Sequence, residues 1–234
     1  MAVLSDVRIL EKIYDKKFSI SPFEYENIQP SSIDLTLDNK IKVPKKGITE
    51  SINMFNPEIE KYFEEKTLES YSIEPGEFII GQIKETIKLS NEINGQIHNR
   101  NSLIRMGINV GLSTYINPGY EGKLPIVIQN IGSFKIDLIP GMRICQLMLQ
   151  DVEPIPERDY SQRHDAKYQG EKDISLSKLY LDREFIEYIN HKAGSETGKI
   201  DKKNLMNFLN IRIEKAGKEI AESIEKKYKE GIGL

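Results

Sequence analysis

Thiols and imidazoles are scarce in this chain of 234 residues: Cys145 stands alone, and His98, His164 and His191 lie far apart. A lone cysteine excludes an intrachain disulfide and fits a reducing, cytoplasmic setting. One cysteine and three scattered histidines also exclude a zinc site of the ordinary ligand type. Cys145 sits in an apolar strand pattern, which reads as buried packing rather than as a reactive thiol. Long apolar runs are missing as well. No stretch approaches the roughly 18 residues that cross a bilayer, and the N-terminus shows no signal-peptide pattern, so a membrane role is not expected. A basic excess is the next absence, with 33 Lys and Arg against 36 Asp and Glu and an isoelectric point of about 5.8. Polymeric nucleic acid calls for a basic surface and is disfavoured as a partner. What is present is ordinary for a soluble globular protein, 38% hydrophobic and 29% charged. The length suits one sizeable domain, alone or with an appendage.

The pattern along the chain is mostly that of short strands. It begins with a helix over 4–14, in which Ser5 or Asp6 is the N-cap and Val7, Leu10, Ile13 and Tyr14 fall at helical spacing. Residues 28–37 alternate as a strand, with Ile33, Leu35 and Leu37 on one face and Asp34 on the other, and Asp38-Asn39 turns the chain. The block 44–70 is polar, with Pro44, Pro57 and a charged run over 58–66, and reads as an insertion or long loop with room for a short helix. Strand signals then recur at 78–83, 86–89, 95–97, 108–110, 124–128, 135–139 and 144–149. Glycine or proline turns separate many of them, which argues for an antiparallel barrel or sandwich. After a polar connection at 159–173, residues 175–181 restore some alternation. A short helix is expected at 184–190 and a linker at 194–198. Residues 201–229 carry the strongest helix signal: Leu205, Phe208, Leu209, Ile213, Ala216, Ile220 and Ile224 form one apolar stripe, flanked by Glu-Lys pairs at i,i+4.

Two neighbouring stretches carry chemistry. In Arg100-Asn101-Ser102-Leu103-Ile104-Arg105 two arginines flank small polar residues. Guanidinium forks bind phosphate oxygens in pairs, and hydrogen bonds to charged groups are worth roughly 1.5–3 kcal/mol each. The residue types therefore suit a polyphosphate, although the six residues by themselves are equally compatible with a solvated strand end. Asn117-Pro118-Gly119-Tyr120-Glu121-Gly122 reads as a tight turn, with proline setting φ and the glycines permitting positive φ or close approach.

Set in order, these blocks resemble a known superfamily. Gln29-Pro30-Ser31-Ser32-Ile33-Asp34-Leu35, Pro75-Gly76-Glu77-Phe78, Arg100-Asn101-Ser102-Leu103, the turn at 117–122, Pro140-Gly141-Met142-Arg143-Ile144-Cys145-Gln146-Leu147 and Ala166-Lys167-Tyr168-Gln169-Gly170 are similar to the motifs of the dCTP deaminase and dUTPase superfamily. The similarity is closest to the dCTP deaminase branch, which includes bifunctional deaminase–diphosphatases. It covers about residues 1–182 and stops before a helical C-terminal extension, 183–234. It implies the distorted jelly-roll barrel of the dUTPase fold. It also implies a homotrimer whose pocket is built by neighbouring chains, so that Arg100 and Lys167 come from different subunits. The substrate implied is a pyrimidine deoxynucleoside triphosphate carried with Mg²⁺, which needs few protein ligands.

Residue by residue, the resemblance assigns Arg100, Ser102 and Arg105 to the phosphates, Tyr115 to the sugar and base, and Lys167 and Tyr168 to a segment that folds over the nucleotide. The same resemblance exposes departures. The deaminase glutamate that moves protons between water and cytosine falls on Val127, which cannot move one. The serine that helps hold the attacking water falls on Asn101. The diphosphatase aspartate falls on Asn117, whose amide has no basic site near neutral pH. Glu121, in the same turn, is a candidate substitute base. Where the closing segment has Lys-Tyr-x-x-Gln, this chain has Lys167-Tyr168-Gln169-Gly170-Glu171, and a one-residue slip would bring in Gln169. Like charge makes a carboxylate costly beside a triphosphate. Deamination, if it occurs, proceeds without zinc, because the zinc deaminases need a His/Cys/Cys set. Three readings follow: a nucleotide hydrolase with a displaced base, a binding protein without turnover, and a regulatory homo-oligomer that uses the C-terminal helix as a partner surface.

Overall fold

The structure is a computed structural model that describes residues 2–111, 114–163 and 165–185. The linker expected at 194–198, the helix expected at 201–229, His164, His191 and most of the helix expected at 184–190 lie outside the described residues. The chain divides into two compact units, Met1–Glu50 with Ile59–Ser177, and Ser51–Glu58 with Lys178–Leu234.

The first unit is built almost wholly of strands. After helix α1 (Asp6–Tyr14) come β1 (Phe18–Ser21), β2 (Ile28–Gln29), β3 (Ser32–Pro44), β4 (Phe63–Thr67), β5 (Tyr71–Ile73), β6 (Phe78–Ile83), β7 (Thr86–Leu89) and β8 (Ile93–Asn99). A single helical turn, α2 (Asn101–Ile104), leads to β9 (Ile108–Val110), β10 (Thr114–Ile116), β11 (Glu121–Gly122), β12 (Pro125–Asn130), β13 (Ile136–Leu138) and β14 (Arg143–Asp151). The main sheet runs β10-β8-β14-β3-β6-β12-β9, with β2 and β4 also paired to β3, and the printed pairings are antiparallel. Smaller sheets, β1-β7-β11 and β13-β5, complete the described strands. The main sheet curls until β9 meets β8, where the Asn99 side chain donates to Asn109 Oδ1 at 2.7 Å and accepts from the Val110 N–H. This is the mainly β, jelly-roll architecture that the motif order implies.

Alternation explains why these segments are strands. In β3, Ile33, Leu35, Leu37, Ile41 and Val43 are buried, and in β12, Ile126 and Ile128 turn inward while Val127 stays 46% exposed. Each fully buried aliphatic side chain contributes roughly 1.5–3 kcal/mol, so slipping a strand by one residue would forfeit several of them at once.

Four expectations need correction. Ser5 does cap α1, accepting from the Arg8 N–H, but Val7 and Tyr14 are exposed and Ile9 is the buried residue of the helix. Asp38-Asn39 does not end the strand: β3 continues to Pro44, and a register shift against β6 between Leu37 and Ile41 absorbs the polar pair. The charged run in 58–66 is not loop throughout, because Phe63–Thr67 forms β4 on one side of β3. Its Glu64 and Glu65 remain exposed, and a strand rich in charge discourages pairing with another chain. Residues 175–181 form no strand; Leu179–Leu181 is a 3₁₀ turn. In the second unit, the described residues pack Phe55 against Phe185 with ring centroids 5.6 Å apart, and Phe185 and Tyr180 are buried.

Candidate active site

Strand alternation sends Pro125 and Val127 of β12 to the outer face. Register places Pro125 opposite Gln82 and Val127 opposite Ile80 on β6. Over this apolar floor passes the turn that follows β10. Pro118 accepts from the Tyr160 N–H at 2.8 Å, and Leu89 N–H donates to the Tyr120 carbonyl at 2.9 Å, so both arms of the turn are tied to neighbouring segments.

A strap formed by residues 168–171 lies along the same turn. Gly170 N–H donates to Glu121 O and Lys123 N–H donates to Glu171 O, each at 2.8 Å. Gln169 clasps the turn from both ends: its Nε2 donates to Gly119 O at 3.2 Å, and its Oε1 accepts from the Glu121 N–H at 3.3 Å. Gly122 permits the approach. A Cβ there would stand 2.8 Å from Glu171 N and 2.9 Å from Glu171 O, and its φ of +148° is strained for any other residue.

Floor, turn and strap enclose a cavity of about 320 Å³. Tyr115, Tyr120, Tyr160 and Tyr168 supply aromatic walls, and Val127, Asn117 and Glu171 share the lining. Tyr120 and Tyr160 pack with centroids 6.1 Å apart. Burial, with the nearby Glu171 charge adding to it, pushes the Tyr120 hydroxyl well above its ordinary value, and burial likewise raises Tyr160. Both hydroxyls therefore stay protonated near neutral pH. Tyr120 donates to the Lys123 carbonyl at 2.9 Å. Glu171 is the only carboxylate in the described lining, and no lysine, arginine or histidine lines it. Its Oε1 accepts a hydrogen bond from the Ser175 hydroxyl.

The residues singled out in the sequence separate into two groups. Tyr115, Asn117 and Tyr168 line the cavity; Arg100, Asn101, Ser102, Arg105, Lys167, Gln169 and Glu121 do not. Arg100 caps α2 and is engaged within its own chain, with NH2 3.4 Å from Asp34 Oδ2 and NH1 donating to Arg143 O at 3.1 Å. Asn101, Ser102 and Arg105 are exposed on or just after α2. Glu121 is exposed and paired with Lys88 at 2.8 Å, turned away from the cavity. Lys167 lies over the Tyr168 ring at 5.7 Å. The slip that would bring Gln169 to the position of Glu171 is not what the structure holds, since Gln169 is occupied with the turn and Glu171 faces the cavity.

Sequence reading missed several supporting residues. Asn94, buried at 3% exposure, donates from Nδ2 to the Tyr115 hydroxyl at 3.2 Å and so sets the angle of a wall ring. Buried Asp34 is held by Arg143 at 3.2 Å and by Gln146 Nε2 at 3.1 Å, in addition to Arg100. Only the presence of Arg143 and Gln146 in a strand could have hinted at this, because two polar side chains on one face of an otherwise apolar strand need a buried partner. Cys145 is buried, and burial raises its thiol pKa far above the ordinary value, which keeps it protonated.

Comparison with known proteins agrees with the motif order. A family model described as dCTP deaminase-like matches residues 3–152. The dUMP-forming dCTP deaminase of Nanoarchaeum equitans is 38% identical over 197 residues, covering 77% of this chain and 98% of the relative. That of Methanosphaera stadtmanae is 34% identical, covering 80% and 98%. Among solved structures, the 2′-deoxycytidine 5′-triphosphate deaminase of Agrobacterium tumefaciens shares the fold, with a TM-score of 0.52 at 21% identity over 64% of this chain and 48% of that one. Motif order, curled sheet and relatives converge on one assignment: the chain belongs to the dCTP deaminase-like family of the dCTP deaminase and dUTPase superfamily.

Proposed function

We propose that the protein acts on a pyrimidine deoxynucleoside triphosphate, converting dCTP or dUTP towards dUMP by deamination, by cleavage of the phosphate chain, or by both. The observation that carries this reading is the cavity. Its volume of about 320 Å³ and its tyrosine walls suit a nucleoside, and the absence of any cationic side chain from its described lining makes it a poor place for phosphates. Apolar lining with a few convergent polar groups is the usual character of a small-molecule site. The relatives that match over nearly their whole length are dUMP-forming dCTP deaminases, which supports the same substrate class.

In this reading the base and sugar enter between Tyr115, held by Asn94, and the strap at 168–171. The triphosphate leaves the mouth of the cavity with Mg²⁺ bound to its own oxygens, as a hard cation that keeps most of its waters. Arg100, Ser102 and Arg105, which do not line the cavity of their own chain, meet the phosphates of a nucleotide held by a neighbouring chain in a homotrimer. Lys167 reaches the phosphates from the strap.

The test is incubation of purified protein with each deoxynucleoside triphosphate and Mg²⁺, followed by chromatographic separation of nucleotides and assay of ammonia and pyrophosphate. Consumption of dCTP or dUTP with formation of dUMP or dUTP is expected. Binding of these nucleotides without any turnover would overturn the reading in favour of an inert nucleotide-binding protein.

A further inference from the structure

We propose that Glu171, on the strap, is the proton-transferring carboxylate of this enzyme and acts on the base of dCTP; the inference rests on the function proposed above. The two positions that the family would use for acid–base chemistry hold Val127 and Asn117, and both line the cavity. Neither exchanges protons near neutral pH. Glu171 lines the same cavity, and the described lining contains no other carboxylate. Because no cationic residue lines that space, what reaches Glu171 is the nucleoside and not the phosphate chain. The like-charge penalty expected for a glutamate in the closing segment therefore does not arise at this place.

Glu171 is also held as a working carboxylate must be. Its backbone is anchored through Gly122, to which it forms a parallel bridge, and through the Lys123 N–H. Its side chain is oriented by the Ser175 hydroxyl. A general acid–base group contributes when its geometry is fixed and when it can both accept and return a proton.

The chemistry closes with two proton transfers. Water oxygen forms a bond to C4 of cytosine while Glu171 takes a proton from that water and passes it to ring N3, which receives the electron pair of the C4–N3 double bond. Glu171 then takes the remaining proton from the new C4 hydroxyl and passes it to the amino nitrogen. The C4–N bond breaks, ammonia leaves with its electron pair, and C4 becomes a carbonyl. The sum is cytosine plus water to uracil plus ammonia, with the carboxylate regenerated.

The experiment compares the full-length protein with Glu171→Gln and Glu171→Asp, measuring ammonia release from dCTP across pH and dCTP binding by calorimetry. Glutamine can still accept from Ser175, so a purely structural glutamate would tolerate it. The expected result is that Glu171→Gln lowers kcat for deamination by about 100-fold or more. Its dCTP affinity should stay within a few-fold, its acid limb of the pH profile should disappear, and Glu171→Asp should recover part of the rate. If Glu171→Gln retains a tenth or more of the wild-type kcat, the role assigned to Glu171 is wrong while the proposed function stands. If wild-type protein cleaves dUTP but releases no ammonia from dCTP, the inference again fails alone. If the wild-type protein turns over no nucleotide, the functional reading fails and takes the inference with it.

Discussion

Glu85 has almost no access to water, at 3% exposure, and yet it is not paired with a cation at close range. Its two oxygens each accept from the Thr36 N–H at 3.1 Å, and one accepts from the Thr36 hydroxyl at 2.7 Å. Burial raises its pKa above the ordinary 4.5, and the Thr36 bonds and the Lys84 charge only partly offset that. The sign of the consequence follows from proton linkage. Below the unfolded pKa both states hold the proton and Glu85 contributes its full stabilisation; as pH rises, the unfolded chain releases the proton first, and that contribution is lost until pH passes the folded value. Each unit of such a shift corresponds to about 1.4 kcal/mol. Glu85→Gln removes the titration. The melting temperature of the variant relative to wild type should therefore rise between about pH 4 and pH 7. A difference in melting temperature that does not change with pH would show that Glu85 does not titrate in this range. Nothing in the sequence around Thr86 marks Glu85 as buried, because the fold of β3 against the β6–β7 connection closes over it.

At the scale of elements, the decisive contact is the strap on the turn. Residues 168–171 and 117–123 are joined by main-chain hydrogen bonds, and Gly122 is where the two backbones come closest. Gly122→Ala introduces a Cβ within 2.9 Å of Glu171 backbone atoms and of the Tyr120 hydroxyl, at a φ of +148°. Strain of roughly 1–3 kcal/mol is expected from such a backbone conformation. The strap should separate from the turn more often, so the amides of Gly170 and Lys123 should exchange hydrogen roughly tenfold to a hundredfold faster. Unchanged exchange at those two amides would mean that the strap is held elsewhere. Elements with simple alternation, such as β6, β7, β12 and β14, were legible in the sequence because their inner faces are continuous aliphatic rows. β4 was not, since Phe63-Glu64-Glu65-Lys66-Thr67 keeps its charges in water and owes its form to pairing with β3. The strap was legible as a motif, but its facing was not. Gly170, at φ +74°, turns the chain between Gln169 and Glu171, so one grips the turn and the other lines the cavity.

For the whole molecule, the proposed homotrimer follows from an incomplete site. Arg100, Ser102 and Arg105 lie outside the cavity of their own chain, and a triphosphate extending from that cavity needs cations from somewhere. Near these arginines the surface is apolar: Ile104, Met106 and Ile131 are all exposed, and Ile131 N–H donates to the Gly107 carbonyl at 2.8 Å, which brings the last two together. Grouped exposed apolar side chains mark a contact surface more often than single ones do. Sedimentation should therefore give about three times the 26.9 kDa chain mass, and Met106→Glu with Ile131→Glu should shift the protein towards monomer and weaken triphosphate binding. A stable monomer at micromolar concentration in the wild-type protein would sink the trimer.

The sequence by itself determined the family, the antiparallel β class and the inert character of Cys145, because each rests on patterns local in the chain: motif blocks, alternation and residue type. It also singled out Val127 and Asn117 as departures from the family pattern, since those depend on position alone. The tertiary structure decided what stands near those two residues. Glu171 is distant from Val127 along the chain, and only the Gly122 contact and the turn at Gly170 place it in the same cavity. The ion pairs of Asp34 with Arg100 and Arg143 were decided in the same way, by the register that sets β14 beside both β3 and β8. Neighbourhoods made by long-range pairing leave no periodic trace in a sequence, and a chemical role that depends on them becomes visible only when the strands are in register.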